Sequence, residues 1–291
     1  MIRKLKIILE MIKFEHTIFA LPFAFLGAIL GAITMEQRMP SWAEMGWITL
    51  AMFGARSAAM SLNRLIDKAI DLRNPRTEKR ALPAGLLKSA EVILFVIVSF
   101  ALLFIATANL APIAMKLLPI AVVMLVIYSY TKRFTWLCHV VLGLTIGLSP
   151  LGAWVAITGS FSPAAWLLFG TVALWLAGFD TVYATQDFEY DRKAGLHSIP
   201  ARFGIAKALW IARSFHIVTA FGFLALFWMT DLSWAYLVGT ILSIAILFYQ
   251  HWLVKPNDLS RVQIAFFGMN GTLSVVLFLF AIFDLAVLHK W

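Results

Sequence analysis

Long apolar stretches alternate with short charged ones along this chain, and the apolar stretches set its architecture. Windows long enough to cross a bilayer as a helix, about 20 residues, fall near 14–34, 46–66, 90–110, 112–130, 137–158, 163–184, 210–230, 234–254 and 263–288. They predict an all-α polytopic membrane protein, a bundle of nine transmembrane helices forming one domain over residues 1–291. The junctions Ala111 to Pro112 and Gly159 to Pro163 leave room only for tight turns, which force antiparallel neighbours. No separate soluble domain, linker or low-complexity segment interrupts the pattern.

Composition agrees with this reading. The chain is 62% hydrophobic with a mean hydropathy of +0.87, well above a soluble domain. The opening MIRKLKIILEMIKFEH places basic residues before an apolar run, as a signal peptide does. That run is long enough to span and shows no clear cleavage site, so it is read as a retained first helix. The single cysteine, Cys138, rules out an intrachain disulfide and is expected to pack as a small hydrophobe.

A net charge of +9 fits either nucleic acid or a membrane surface as partner, and the positions of the charges decide for the lipid bilayer. With the N-terminus in the cytoplasm, 19 of the 24 basic residues fall in cytoplasmic segments, and only Arg38, Lys116 and Lys290 lie on the far side. Arg56 and Arg64 sit within the second window. That asymmetry follows the positive-inside rule and predicts an integral membrane protein with a cytoplasmic N-terminus and no nucleic-acid partner; the expected location is the bacterial cytoplasmic (inner) membrane.

Two charged stretches carry the chemistry. In NRLIDKAIDLRNPRTEKR, Asn63, Asp67 and Asp71 recur every four residues; on a helix they form one stripe about 12 Å long. In DTVYATQDFEYDRKAGLHSIPAR, Asp187 and Asp191 repeat the spacing, and Asp180 lies about two turns before Asp187. Both stretches end apolar windows on the same side, and each continues alike, RTEKRALPAG and AGLHSIPARFG, pointing to a weak internal repeat around a shared cavity.

Carboxylates facing one another across a cavity repel unless a cation lies between them. Mg²⁺ suits oxygen ligands shared between carboxylates and phosphates. Basic residues flank the same clusters: Arg73, Arg76, Lys79 and Arg80, then Lys132 and Arg133, then Arg192, Lys193 and Arg202. Acids, metal and a basic rim describe a diphosphate site. A cavity opening into a membrane favours a long isoprenoid tail, since each buried CH₂ contributes about 0.8 kcal/mol. Arg56, two turns before Asn63, needs an anion, supplied either by an acceptor carboxylate or by an acid of another span. His16 reads as structural, and most tryptophans and phenylalanines as core or interfacial belt.

At these residues the chain resembles the UbiA-type family of intramembrane aromatic prenyltransferases, over nearly its whole length. Its NxxxDxxxD motif matches Asn63, Asp67 and Asp71, and the second motif matches Asp180, Asp187 and Asp191 with Tyr183 between. YSYTKR, Tyr128 to Arg133, looks like the family's YxxxK element, and RTEKR matches its loop arginines, Arg76 and Arg80. The resemblance implies nine helices around a central cavity, open to the cytoplasmic side and laterally to lipid. It implies Mg²⁺ held by Asn63, Asp67, Asp71, Asp187 and Asp191, and a polyprenyl diphosphate contacted by Tyr128, Lys132, Arg76 and Arg80, with Arg133, Tyr183 and Arg192 beside them.

Among members the chain is most similar to the 4-hydroxybenzoate branch, which implies that Arg56 meets the acceptor carboxylate and Asn63 lies near the acceptor. The opening FEHTIFALPFAFLGA looks more like a branch using a naphthoate in menaquinone biosynthesis. The expected reaction is transfer of a polyprenyl group to a ring carbon of an aromatic acid, with Asp67, Asp71, Asp180, Asp187 and Asp191 catalytic and Asp180 or Asp191 assisting proton loss. A monomer is expected. The rival class is a membrane transporter, disfavoured because the acids sit at helix ends among arginines and not at midplane.

Overall fold

The computed structural model describes residues 2–13 and 17–288, so His16 and Lys290 lie outside the described residues. Helices account for the architecture: α1 (Ile2–Met11), α2 (Thr17–Glu36), α3 (Trp42–Ile66), α4 (Lys68–Asp71), α5 (Ser89–Ala108), α6 (Pro112–Thr131) and α7 (Cys138–Thr158). They continue as α8 (Pro163–Ala184), α9 (Phe188–Ala194), α10 (Ile199–Phe203), α11 (Ile205–Met229), α12 (Trp234–Leu253) and α13 (Asn270–Phe283). A 3-10 turn, Thr185–Asp187, joins α8 to α9, and π-helical turns flank α13 at Ile264–Met269 and Asp284–Leu288. Among the described residues the only β pairing is an isolated bridge between Lys255 and Asp258.

Seven helical segments of the described chain are long and apolar enough to cross a membrane: α5, α6, α7, the run Pro163–Ala194, α11, α12 and the run Ile264–Leu288. The other two expected spans are helical but differ. The described apolar part of α2, Ala20–Glu36, is shorter. α3 has 25 residues, but Arg56, Asn63 and Arg64 lower its hydropathy, and these are the residues it carries toward the cavity.

The core lies where α2, α7, α8, α11, α12 and α13 meet. Phe23, Leu26, Leu30, Trp154, Trp175, Phe223, Tyr236, Leu273 and Leu277 form its buried centre. Small residues let the helices approach closely, as membrane helices require. A Cβ on Gly143 of α7 would stand 2.2 Å from the Ala173 carbonyl oxygen of α8, and one on Gly27 of α2 the same distance from that of Pro150 in α7. The outer faces are apolar, with Leu94, Ile97, Phe104 and Ile120 exposed. Exposed tryptophans mark helix ends: Trp210 and Trp252 at one end of the α11–α12 pair, Trp228 and Trp234 at the other. Such aromatic belts suit two membrane–water interfaces.

Polar groups inside this apolar frame are satisfied locally. Asp284 is 1% exposed and caps α12, accepting from the Ser233 N–H (2.9 Å), the Ser233 hydroxyl (2.8 Å) and the Tyr236 N–H (2.8 Å). A carboxylate at a helix N-terminus meets both unpaired donors and the positive end of the dipole. At the start of α3, Ser41 and Glu44 form a reciprocal capping box, with Arg38 paired to the Glu44 carboxylate.

Candidate active site

The first motif keeps helical hydrogen bonding across the junction of α3 and α4. The Asp67 N–H donates to the Asn63 carbonyl (2.9 Å), and that of Asp71 to the Asp67 carbonyl (2.8 Å). The expected four-residue stripe is therefore kept through the junction of α3 and α4. At that junction Asp67 takes φ −91° and ψ 2°. Asp187, between α8 and α9, takes φ −99° and ψ 5°. The two clusters thus share a design: a long helix, a break at an aspartate, and a short helix carrying the next aspartate four residues on.

Three acids of the site, Asp67, Asp71 and Asp187, are each matched to donors. Asp67, 1% exposed, is paired with Lys132 Nζ and with Arg133 Nη2 (3.1 Å), and accepts from Asn63 Nδ2 (3.1 Å). Asn63 Nδ2 also reaches Ser129 Oγ (3.3 Å). Asp71, also buried, receives Arg80 Nη1 at 2.8 Å, with Arg64 Nη1 at 4.0 Å. Asp187 is gripped by Arg76, whose Nε lies 2.8 Å from Oδ1 and whose Nη2 bonds Oδ2, while Asn74 Nδ2 donates to Oδ1 at 2.9 Å. Arg76 Nη1 donates to the Tyr183 hydroxyl (2.9 Å). Burial opposes the Arg76 charge, but the hydrogen bonds and charge of Asp187 outweigh it and hold the guanidinium pKa above its ordinary value.

These contacts staple the two clusters together across the bundle. Tyr190 adds a third strap, its hydroxyl donating to the Ile70 carbonyl (2.9 Å). The loop after α4 is shaped for this: the Asn74 side chain accepts from the Arg76 N–H (3.0 Å), and the Thr77 hydroxyl donates to the Asp71 carbonyl (3.0 Å).

Together they border a cavity of about 740 Å³. Asn63, Asp67, Asp71, Arg76, Arg80, Tyr128, Lys132, Asp180, Tyr183, Asp187, Asp191 and Arg56 all line it. Its apolar wall is aromatic, with Phe23, Trp175, Phe179 and Phe266. A second, mostly apolar cavity of about 340 Å³ lies between α3, α6 and α7. Arg56 and Tyr128 border both. The Tyr128 hydroxyl donates to the Ala59 carbonyl (3.0 Å), and Arg56 Nη2 lies 3.5 Å from the Lys13 carbonyl.

Other expected residues fall elsewhere. Arg192 is exposed, lies 5.7 Å from the Phe188 ring and does not line the cavity. Arg202 lies over the rings of Trp136 (5.8 Å) and Phe203 (5.6 Å). Arg133 acts from behind Asp67 and also reaches the Ile66 carbonyl (2.8 Å). The 3-10 turn between Asp180 and Asp187 breaks the regular helical stripe expected there, yet both acids still face the cavity.

Sequence reasoning missed Asn74, Tyr190 and His139. His139 Nδ1 lies 2.7 Å from Asp180 Oδ2. A lone histidine in the apolar run after Leu137 was the available signal, since ionisable residues within a span are rare without a task.

The family profile described as UbiA prenyltransferase family matches residues 20–281. The chain is 30% identical over 239 residues to a 4-hydroxybenzoate octaprenyltransferase of Vibrio campbellii, covering 82% of this chain and 84% of that protein. A protein of the same name from Tolumonas auensis is 29% identical over 236 residues, covering 80% and 81%. Among solved structures, a UbiA homolog from Aeropyrum pernix K1 superposes with a TM-score of 0.84 at 32% identity, covering 93% of this chain and 98% of that one. A UbiA homolog from Archaeoglobus fulgidus bound to GPP and Mg²⁺ shares the fold, with a TM-score of 0.74 at 21% identity over 97% and 100%. With a profile match over most of its length and a paired acidic site on two helix ends, the chain belongs to the UbiA prenyltransferase family.

Proposed function

We propose that this protein is a Mg²⁺-dependent polyprenyltransferase that moves a polyprenyl group from an allylic diphosphate to a ring carbon of an aromatic acid, with 4-hydroxybenzoate as acceptor, in quinone biosynthesis. The observation that carries the reading is the meeting of two acidic clusters and a basic rim in one cavity with an aromatic wall. Family membership supports prenyl transfer. The names of the Vibrio and Tolumonas relatives support the acceptor, and the ligands of the Archaeoglobus homolog support donor and metal.

The donor set suits a hard cation. Asp67, Asp71, Asp187 and Asp191 offer carboxylate oxygens and Asn63 an amide oxygen around one cavity. Among the described residues no three His, Cys, Asp or Glu side chains close into a metal cage. An open set of few carboxylates completed by phosphate oxygens is the usual Mg²⁺ arrangement. When bound, Mg²⁺ supplies Lewis-acid stabilisation of the charge on the departing diphosphate.

The chain's own residues do the rest. Arg76, Arg80 and Lys132 now hold aspartates, and phosphate oxygens entering the cavity compete for the same donors. Tyr128 and Tyr183 border the same space. The second cavity gives the isoprenoid tail an apolar channel. Trp175, Phe179 and Phe266 exclude water from the allylic cation and offer it π faces. Arg56, at the junction of the cavities, receives the acceptor carboxylate and turns its ring toward the cation. The ring carbon ortho to the phenol attacks, and loss of its proton restores aromaticity.

In this reading nine helices cross the bacterial inner membrane, the protein acts as a monomer, and the N-terminus and the acidic end of the cavity face the cytoplasm. The basic-residue asymmetry supports that orientation. The test is product analysis with purified protein, labelled geranyl diphosphate and Mg²⁺, offered 4-hydroxybenzoate or a dihydroxynaphthoate. Prenylated 4-hydroxybenzoate is the expected product; exclusive prenylation of the naphthoate would move the protein to menaquinone biosynthesis, and transfer to neither ring would contradict the reading.

A further inference from the structure

Asp180 differs from Asp67, Asp71 and Asp187 in the company it keeps. Asp67, Asp71 and Asp187 each carry a Lys or Arg. Asp180 carries neither among the described residues; its partner is His139, with Nδ1 2.7 Å from Oδ2. A carboxylate accepts, so Nδ1 is the protonated nitrogen. Both residues line the cavity, with the imidazole side chain 6% exposed and that of Asp180 21% exposed, so the carboxylate is the more open of the two. His139 Nε2 is buried with no hydrogen-bond partner. The short bond to Asp180 helps to set the ring's orientation.

Position adds to this. Asp180 stands about two helical turns from Asp187 toward the interior. It lies where the polar end of the cavity gives way to Trp175, Leu176 and Phe179. On the prenyltransferase reading, a diphosphate held among Asp67, Asp71 and Asp187 would bring the first carbons of its prenyl chain, and the acceptor ring, beside that step. The Nδ1–H bond from His139 holds the Asp180 carboxylate in one orientation at that place.

We infer that His139 is a positioning residue for the reaction, holding Asp180 so that its carboxylate takes the proton released from the alkylated ring. In that step the C–H bond at the new substituent breaks, its electron pair returns to the ring, and the proton passes to an Asp180 oxygen. This inference rests on the prenyltransferase reading above.

The experiment compares wild type, His139→Leu and His139→Asn with geranyl diphosphate and ring-deuterated 4-hydroxybenzoate, or the deuterated naphthoate if that is the acceptor wild type uses. His139→Leu removes the donor; His139→Asn keeps an N–H near the place of Nδ1. The expected result for His139→Leu is a kcat about 10- to 100-fold lower, with KM for both substrates nearly unchanged. A primary deuterium isotope effect absent from wild type should also appear, because proton loss becomes slow. His139→Asn should recover part of the rate and lose part of the isotope effect. A merely structural role would lower activity without any isotope effect, and that outcome, like unchanged kcat in His139→Leu, overturns the proposal. If His139→Leu fails to insert, the comparison of His139→Asn with Asp180→Asn decides, since only a shared step gives both the isotope effect. Wild type that alkylates neither ring would instead count against the prenyltransferase reading.

Discussion

Arg76 and Asp187 stand 111 residues apart in sequence and meet in a two-pronged pair, with Arg76 Nε 2.8 Å from Asp187 Oδ1. The pair joins the loop after the first acidic cluster to the end of the second, so it closes the site as well as charging it. The fork geometry is what a lysine cannot supply. Arg76→Lys should lower kcat/KM for the diphosphate donor about tenfold and Arg76→Ala about a hundredfold or more, each tenfold being about 1.4 kcal/mol. Steady-state kinetics with geranyl diphosphate measures this; equal activity in both variants would show that Arg76 only braces the fold.

Asp67 is both ligand candidate and counter-ion. Removing it leaves Lys132 and Arg133 facing each other without their shared carboxylate. Asp67→Ala should abolish turnover and lower stability by about 3–5 kcal/mol, the usual effect of stripping one partner from a buried pair. Thermal unfolding in detergent, with turnover in parallel, measures both effects. Loss of turnover at unchanged stability would mean that the two basic groups find other partners.

Arg56 borders both cavities, and its proposed partner is the acceptor carboxylate. Arg56→Ala should raise KM for carboxylated acceptors at least about tenfold, the usual scale for a charged hydrogen bond of about 1.5–3 kcal/mol, and change turnover of an uncarboxylated phenol little. An equal loss on both substrates would make the arginine structural.

Gly143 tests the packing that brings α7 and α8 together. A side chain there would press on the Ala173 backbone, so Gly143→Leu should destabilise by about 1–3 kcal/mol or more through overpacking. Unfolding temperature is the readout, with Gly152→Leu, where a Cβ meets nothing within 4 Å, as the near-neutral comparison.

Much of this site was legible because helical spacing is a local property. Asn63, Asp67 and Asp71 declared one face through their four-residue period, and the main chain keeps that period past the helix junction. The periodic apolar windows likewise located the helices. What could not be read was where local rules break or distant segments meet. The 3-10 turn at Thr185–Asp187 reorients α9, leaving Arg192 on an exposed face although it lies beside Asp191 in sequence. Asn74 gains its role only by reaching Asp187 across the bundle, which no periodicity announces. His139 was visible as an ionisable residue in an apolar run, but its partner Asp180 lies on another helix.

The central claim is that the two acidic clusters form one diphosphate-binding, Mg²⁺-dependent site. Its most direct test is binding and turnover of geranyl diphosphate by wild type, Asp67→Asn and Asp187→Asn, each with Mg²⁺ and with the metal chelated. The account predicts that wild type binds and reacts only with Mg²⁺, and that either single substitution removes both. A variant that loses one cluster's aspartate and still binds and turns over the donor would contradict it.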